Sequence, residues 1–240
     1  RTIDLSTAHR TTADAFYGLP ELFGAPPPGA TLVSNPGCYP TATLLAVLPL
    51  VRAGLVHARG LAVLGCSGTS GAGKAVREDL HFSELHDNLF PYQVGEHKHI
   101  AEIHHKLGGI SASFVTQLVP IVRGLLVTAF VPTDADPTTL RNTLAATYEG
   151  QRWITVLAEP GQGLGVRHVV GTHQAVIAVG PRADGGVVPV FAAIDNLLRG
   201  AASQAVHTLN LWLGLPAEAG LPEPLRKPPS GVPGMNRMLP

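Results

Sequence analysis

Charge is scarce in this sequence. Of 240 residues, 17 are Lys or Arg and 17 are Asp or Glu, so charged residues make up 14% and the formal net charge is zero. An average soluble domain carries about 25%. Without a basic excess there is no electrostatic footprint for nucleic acid or an anionic membrane surface. Apolar runs near the roughly 20 residues of a membrane span are missing too, so neither nucleic acid nor membrane is expected as a partner. Cysteine is nearly absent: only Cys38 and Cys66 occur. Two thiols make no disulfide scaffold, and both are expected to be free, as in a reducing cytoplasm. The chain has no initiator Met, and Thr2-Ile3-Asp4-Leu5 reads as a strand already in progress. It is therefore expected to be the later part of a longer protein. What is plentiful is apolar content, at 45%, which excludes global disorder.

The pattern along the chain predicts alternating short strands and helices. Thr31 to Ser34 reads as a strand, broken by Asn35-Pro36-Gly37, and Pro40 to Val51 has the length and apolar content of a helix stopped by Gly54. Leu61 to Leu64 reads as a buried strand running into the glycine-rich loop Gly65 to Lys74. Ser113 to Pro120, Gly124 to Val131 and Trp153 to Leu157 are further strands, and Pro137 to Glu149 is helical by pattern. His173 to Val179 and Val187 to Ile194 flank Asp184-Gly185-Gly186, a hairpin signal. Asn196 to Leu213 is predicted as a helix with Leu197, Leu198, Ala201, Ala205, Leu209 and Trp212 on its apolar face and Gly214 as its stop. Hairpin-like strands with helices grouped between them indicate an α+β domain on a mixed or antiparallel sheet.

Several residues stand where chemistry is possible. Cys38 sits where a turn feeds a helix, so its sulfur should meet free amides and the positive end of the helix dipole. An ordinary thiol is roughly 3% ionised at pH 7, and a pKa lowered by about 1.5 units makes it half ionised. The alternative is a buried apolar cysteine, the default for Cys66. The loop around Gly68 to Lys74 nearly matches a phosphate-binding GxxxxGK[ST], but Ala75 replaces the metal-binding hydroxyl. Ser67, Thr69, Ser70 and nearby amides either line a cofactor or make an ordinary glycine turn. No dinucleotide fingerprint G-x-G-x-x-G is present. The histidines of Gly95-Glu96-His97-Lys98-His99 lack the spacing of a metal motif, so no metal is expected; an imidazole beside Glu96 instead suits acid or base work near neutral pH. Arg123 suits capture of a carboxylate or phosphate, or else a surface ion pair.

Five segments taken together resemble N-acetyl-γ-glutamyl-phosphate reductase: Ser34-Asn35-Pro36-Gly37-Cys38-Tyr39-Pro40-Thr41, Ser70-Gly71-Ala72-Gly73-Lys74, Pro91 to His99, Val119 to Gly124, and Asp195 to Ala202. The likeness runs from about Ile3 to Leu221. It implies the catalytic, dimerisation domain of a glyceraldehyde-3-phosphate or aspartate-semialdehyde dehydrogenase fold, in a cytoplasmic, homo-oligomeric enzyme of arginine biosynthesis. By resemblance Cys38 is the nucleophile and His97 the acid/base, with His99 the second choice. Ser67, Gly68, Ser70, Gly71 and Asn196 would line NADPH/NADP, and Arg123 and Glu96 would contact a small acyl phosphate. The thiolate would expel phosphate from that substrate, and NADPH would reduce the thioester to a semialdehyde. The implied division is residues 1–34 as the end of a dinucleotide-binding domain and connector, 35–195 as the catalytic domain, 196–221 as a helix packing back toward the cofactor domain, and 222–240 as a disordered tail.

The sequence departs from the family in three ways. The glycine fingerprint of a Rossmann half is not in these residues, so the isolated chain is expected to bind NADPH weakly and to show negligible reductase activity. Thr7-Ala8-His9-Arg10 lacks the usual acidic and aromatic residues, and His173 stands where Asn is usual. Two rival readings are a reductase of carrier-protein-linked aminoadipyl or glutamyl phosphate, and a non-catalytic or oligomerisation domain.

Overall fold

The computed structural model describes residues 1–73, 75–183 and 185–222. The first strands are β1 (Thr2–Asp4) and β2 (Phe16–Tyr17), followed by the one-turn helix α1 (Pro20–Phe23) and β3 (Leu32–Ser34). They form a small parallel sheet in the order β1-β3-β2. Then come α2 (Cys38–Arg52), β4 (Leu61–Gly68), α3 (Phe82–Leu85), β5 (Phe90–Pro91), α4 (His99–Lys106), β6 (Ala112–Val119) and β7 (Leu125–Pro132). The chain continues through α5 (Pro137–Thr147), β8 (Ile154–Val156), β9 (Ala175–Val179), β10 (Val187–Ile194) and α6 (Ser203–Leu213).

Seven strands make the main sheet, in the order β5-β6-β4-β7-β10-β9-β8. The pairs β4/β6 and β8/β9 are parallel and the others antiparallel, so the sheet is mixed and the fold is the expected α+β. Strands β4, β6 and β7 alternate buried and less buried residues. One face therefore meets the core while the other leaves Val115 and Phe130 exposed. The core-side partner is α2, in which every residue from Tyr39 to Leu50 is buried. A helix apolar all round belongs between layers, and that requirement places its first turn at a fixed spot beside the sheet end. The hairpin of β9 and β10 forms with Gly185 and Gly186 at positive φ, while Asp184 lies outside the described residues. The tail, 223–240, also lies outside them.

The C-terminal helix differs from its predicted form. A wide π turn over Leu198–Ala202 precedes α6, with Gly200 N–H donating to Asp195 O and Ala202 N–H to Leu197 O. That turn changes the helical phase. Ser203, Gln204, His207, Thr208, Asn210 and Trp212 face inward, and Leu209 faces solvent with Val206 and Leu213. The inward face is polar because it meets backbone: Gln204 Nε2 and Thr208 Oγ1 both donate to Gly18 O, at 2.9 and 3.2 Å. Gly214 ends α6 in the left-handed conformation, as expected.

Candidate functional site

The turn Asn35-Pro36-Gly37 connects β3 to α2 and delivers Cys38 as the first helical residue. Gly37 C=O accepts both the amide and the hydroxyl of Thr41 at 2.9 Å, which fixes the entry to the helix. Across from it, the π turn approaches so closely that a Cβ on Gly200 would lie 2.5 Å from Cys38 Cβ. Only glycine admits that contact. Cys38 is free and partly exposed on a cleft of about 250 Å³ whose lining includes Arg10, Asn35, Ser70, Gly71, His97 and His99.

The expected low-pKa thiolate is overturned. Burial pushes the Cys38 thiol up to about 11; the Tyr39 amide at the helix start and the charges of Arg10 and Lys98 oppose this, and Glu102 adds to it. A helix dipole supplies about 0.3–1 kcal/mol in ordinary settings. A rise from 9.0 to about 11 is roughly 3 kcal/mol the other way, so desolvation wins.

His97 is buried beside Cys38's neighbour Tyr39, the ring centroids being 5.3 Å apart. Its Nδ1 accepts the His99 backbone amide at 3.1 Å, and its Nε2 lies 3.5 Å from the Tyr92 hydroxyl. Burial, with a smaller push from Lys98, lowers its pKa to about 4, so the ring is neutral at pH 7. With Nδ1 occupied as an acceptor, the neutral ring carries its proton on Nε2. His99 packs 4.7 Å from His97 by ring centroids and is held well below its ordinary range, chiefly by burial. Glu96 does not orient His97: it is exposed, and among the described residues no hydrogen bond or ion pair joins the two.

The cofactor and substrate expectations divide. Ser70, Gly71 and Asn196 line the cleft with Cys38 and His97. Asn196 ties three segments, accepting Gly124 N–H at 2.8 Å and donating to Ser70 Oγ at 2.9 Å, while Ser70 donates to Val122 O. Ser67 and Gly68 sit behind that rim: Ser67 is fully buried and bonded to Gly68 O, and Gly68 abuts the Val122 backbone. Arg123 does not line the cleft; its side chain is 43% exposed and stands 3.9 Å from Asp195. The buried cation of the cleft is Arg10, which sequence reading left without a role, together with Tyr39, Tyr92 and, beneath the turn, Glu102. The one available signal for Glu102 was its position three residues after His99, on the same helix face.

A second buried cluster lies outside the cleft. Ligand atoms of Glu21, His173 and His207 lie within 4.8 Å of one another, a spacing that suits a metal ion. The Arg199 guanidinium already bridges the group, donating to Glu21 at 2.5 Å and to His173 Nε2 at 2.6 Å. An ion-paired strut is what these atoms form.

The fold and the cysteine-histidine cleft define a class, the semialdehyde dehydrogenases: residues 38–196 match the family profile "Semialdehyde dehydrogenase, dimerisation domain". Aspartate semialdehyde dehydrogenase II from Vibrio cholerae shares the fold, with TM-score 0.69 and 20% identity over 88% of this chain and 72% of that one. Among curated relatives, N-acetyl-gamma-glutamyl-phosphate reductase of Salinispora tropica is 38% identical over 92% of this chain and 71% of its own. The enzyme of that name from Desulforapulum autotrophicum is 39% identical over 87% of this chain and 62% of its own, so the chain spans less than two thirds of that relative. The chain belongs to the N-acetyl-gamma-glutamyl-phosphate reductase family.

Proposed function

We propose that this chain is the catalytic part of a reductase that converts N-acetyl-L-glutamyl 5-phosphate to the 5-semialdehyde through a thioester on Cys38. The observation that carries the reading is the convergence of Cys38, His97 and Arg10 on one cleft. Arg10 spends three of its five donors on Asn35 O, Leu5 O and Glu102, which holds the guanidinium rigidly with donors left for an anion. The Cys38 sulfur attacks the acyl carbon, the acyl-oxygen bond breaks, and phosphate leaves with the pair of electrons. Because the thiol begins protonated, attack is coupled to transfer of its proton to an oxygen of the departing phosphate, which leaves as hydrogen phosphate. The Nε2–H of neutral His97 donates to the oxyanion as it develops on the acyl oxygen, and the same imidazole moves the proton when the hemithioacetal collapses.

A nicotinamide cofactor fits the rim of Ser70, Gly71, Ala72 and Gly73. This edge carries no charged side chain, and Gly71 lies so close that a Cβ would meet Ser67 Oγ at 2.5 Å. Bound reduced nicotinamide, NADPH by resemblance, supplies the hydride for the acyl carbon. The open face of the seven-stranded sheet, with Val115 and Phe130 exposed, suits pairing with a second copy of the chain. No helix among the described residues is long and apolar enough to cross a membrane.

The test needs no cofactor. Incubation with N-acetyl-L-glutamyl 5-phosphate should add one acyl group to Cys38 by peptide mass spectrometry, with stoichiometric phosphate release. Cys38→Ser should abolish both and Cys66→Ser should leave both. Acylation of Cys66, or none in the wild type, overturns the reading.

A further inference from the structure

Donors from three separate stretches of chain converge on one carboxylate beneath the nucleophile's turn. Glu102 is 2% exposed. Its Oε1 accepts the Tyr17 hydroxyl at 2.7 Å and the Gly37 amide at 3.0 Å, and its Oε2 accepts Arg10 Nη1 at 3.3 Å. These donors are 85, 65 and 92 residues away in sequence, so no local turn accounts for the arrangement. An ionised carboxylate is acceptor-only, which suits three donors; an amide of the same shape would turn N–H groups toward one of them.

We propose that Glu102 is a positioning residue for Cys38: anchored by Tyr17 and Arg10, its carboxylate holds the Gly37 amide and so fixes the turn that presents the sulfur to the cleft. The role in catalysis rests on the thioester reading above. Gly37 is then clamped on both sides, its N–H by Glu102 and its C=O by Thr41. The first turn of α4 supplies a second contact on the same residue, because a Cβ on Gly37 would lie 2.3 Å from His99 Nε2. Charge acts on the sulfur as well: Glu102 disfavours the thiolate and Arg10 favours it, the carboxylate having the larger influence.

Two variants of the full chain separate aim from reactivity. Glu102→Gln keeps the shape, removes the charge and sets an amide against Arg10 or Gly37. Iodoacetamide at pH 8.5 should then alkylate Cys38 at least threefold faster, while acylation by N-acetyl-L-glutamyl 5-phosphate falls at least tenfold. Arg10→Met removes the cation and should slow Cys38 alkylation at least threefold. Cys66, read in the same digests, should stay within twofold in both. Cys38 alkylation unchanged in either variant, acylation that rises along with alkylation in Glu102→Gln, or both cysteines accelerating together overturns the proposal. If Glu102→Gln does not fold, Arg10→Met decides alone: slower alkylation supports the arrangement and unchanged or faster alkylation refutes it. Alkylation does not depend on the substrate assignment, so wild-type chain that alkylates but never acylates refutes the thioester reading by itself.

Discussion

The Arg199–Glu21 pair offers a direct test of how the segment around α1 is joined to the π turn and α6. Arg199 has no exposed side-chain surface and Glu21 has 1%, with Nη2 and Oε1 2.5 Å apart. Arg199 Nη1 also reaches His173 Nε2 at 2.6 Å, and His173 Nδ1 meets Ser203 Oγ at 2.7 Å. Removing one member leaves an uncompensated buried charge, which typically costs about 3–5 kcal/mol. Against a domain stability of about 5–15 kcal/mol, that is roughly a fifth of the total or more. Arg199→Met strands the Glu21 carboxylate, with His207 Nδ1 at 3.5 Å as the nearest group able to take a proton. Glu21→Leu strands the guanidinium among neutral imidazoles. The double variant removes both charges and leaves apolar groups, so its cost should fall below that of either single. Urea unfolding of the four proteins at pH 7 gives the coupling energy. Single costs below about 1 kcal/mol, or a double variant as unstable as the two singles added together, would refute the view that these charges are desolvated partners.

Three further outcomes follow from the cleft. Gly37→Ala carries no backbone strain, since φ is −71° and ψ 159°, but its Cβ would sit 2.3 Å from the His99 imidazole. It should therefore cost about 1–3 kcal/mol as overpacking and alter the His99 ring signals in NMR; wild-type stability with unshifted signals counts against the contact. With its pKa near 11, Cys38 is about one part in a thousand thiolate at pH 8. Its alkylation should therefore rise close to tenfold per pH unit up to about pH 10, and a plateau below pH 9 refutes the desolvation argument. His97 has a folded pKa of about 4 against an ordinary 6.5, so the unfolded chain binds a proton that the folded chain does not. Its stabilising contribution is complete above pH 6.5 and is lost as pH falls through 6.5 toward 4, by about 3 kcal/mol at most. His97→Gln should flatten that acid limb of a thermal-unfolding series, and an unchanged limb refutes the assignment.

What the sequence made legible was what lies on contiguous chain. Strand alternation, the glycine stops and the junction of a turn with a buried helix are local. They located β4, β6, β7, the β9–β10 hairpin and Cys38 itself, because each is written within a dozen residues. Glu102 and Arg10 could not be found that way: their partners lie 65 to 92 residues off, and neither residue type in a helix or loop announces burial. The face of α6 failed for a different reason. A 3.6-residue period counts forward correctly only if every turn is α-helical, and the π turn at Leu198–Ala202 breaks that count. Sequence logic also placed Cys38 correctly at a helix start yet took the wrong sign for its pKa. It weighed the dipole, which is visible in the chain, without the desolvation, which depends on what later segments bury around the sulfur. The same long-range packing underlies the proposed reaction: His97, from the approach to α4, and Arg10, from the β1–β2 loop, share a cleft with Cys38 only because the folded chain brings these distant segments together.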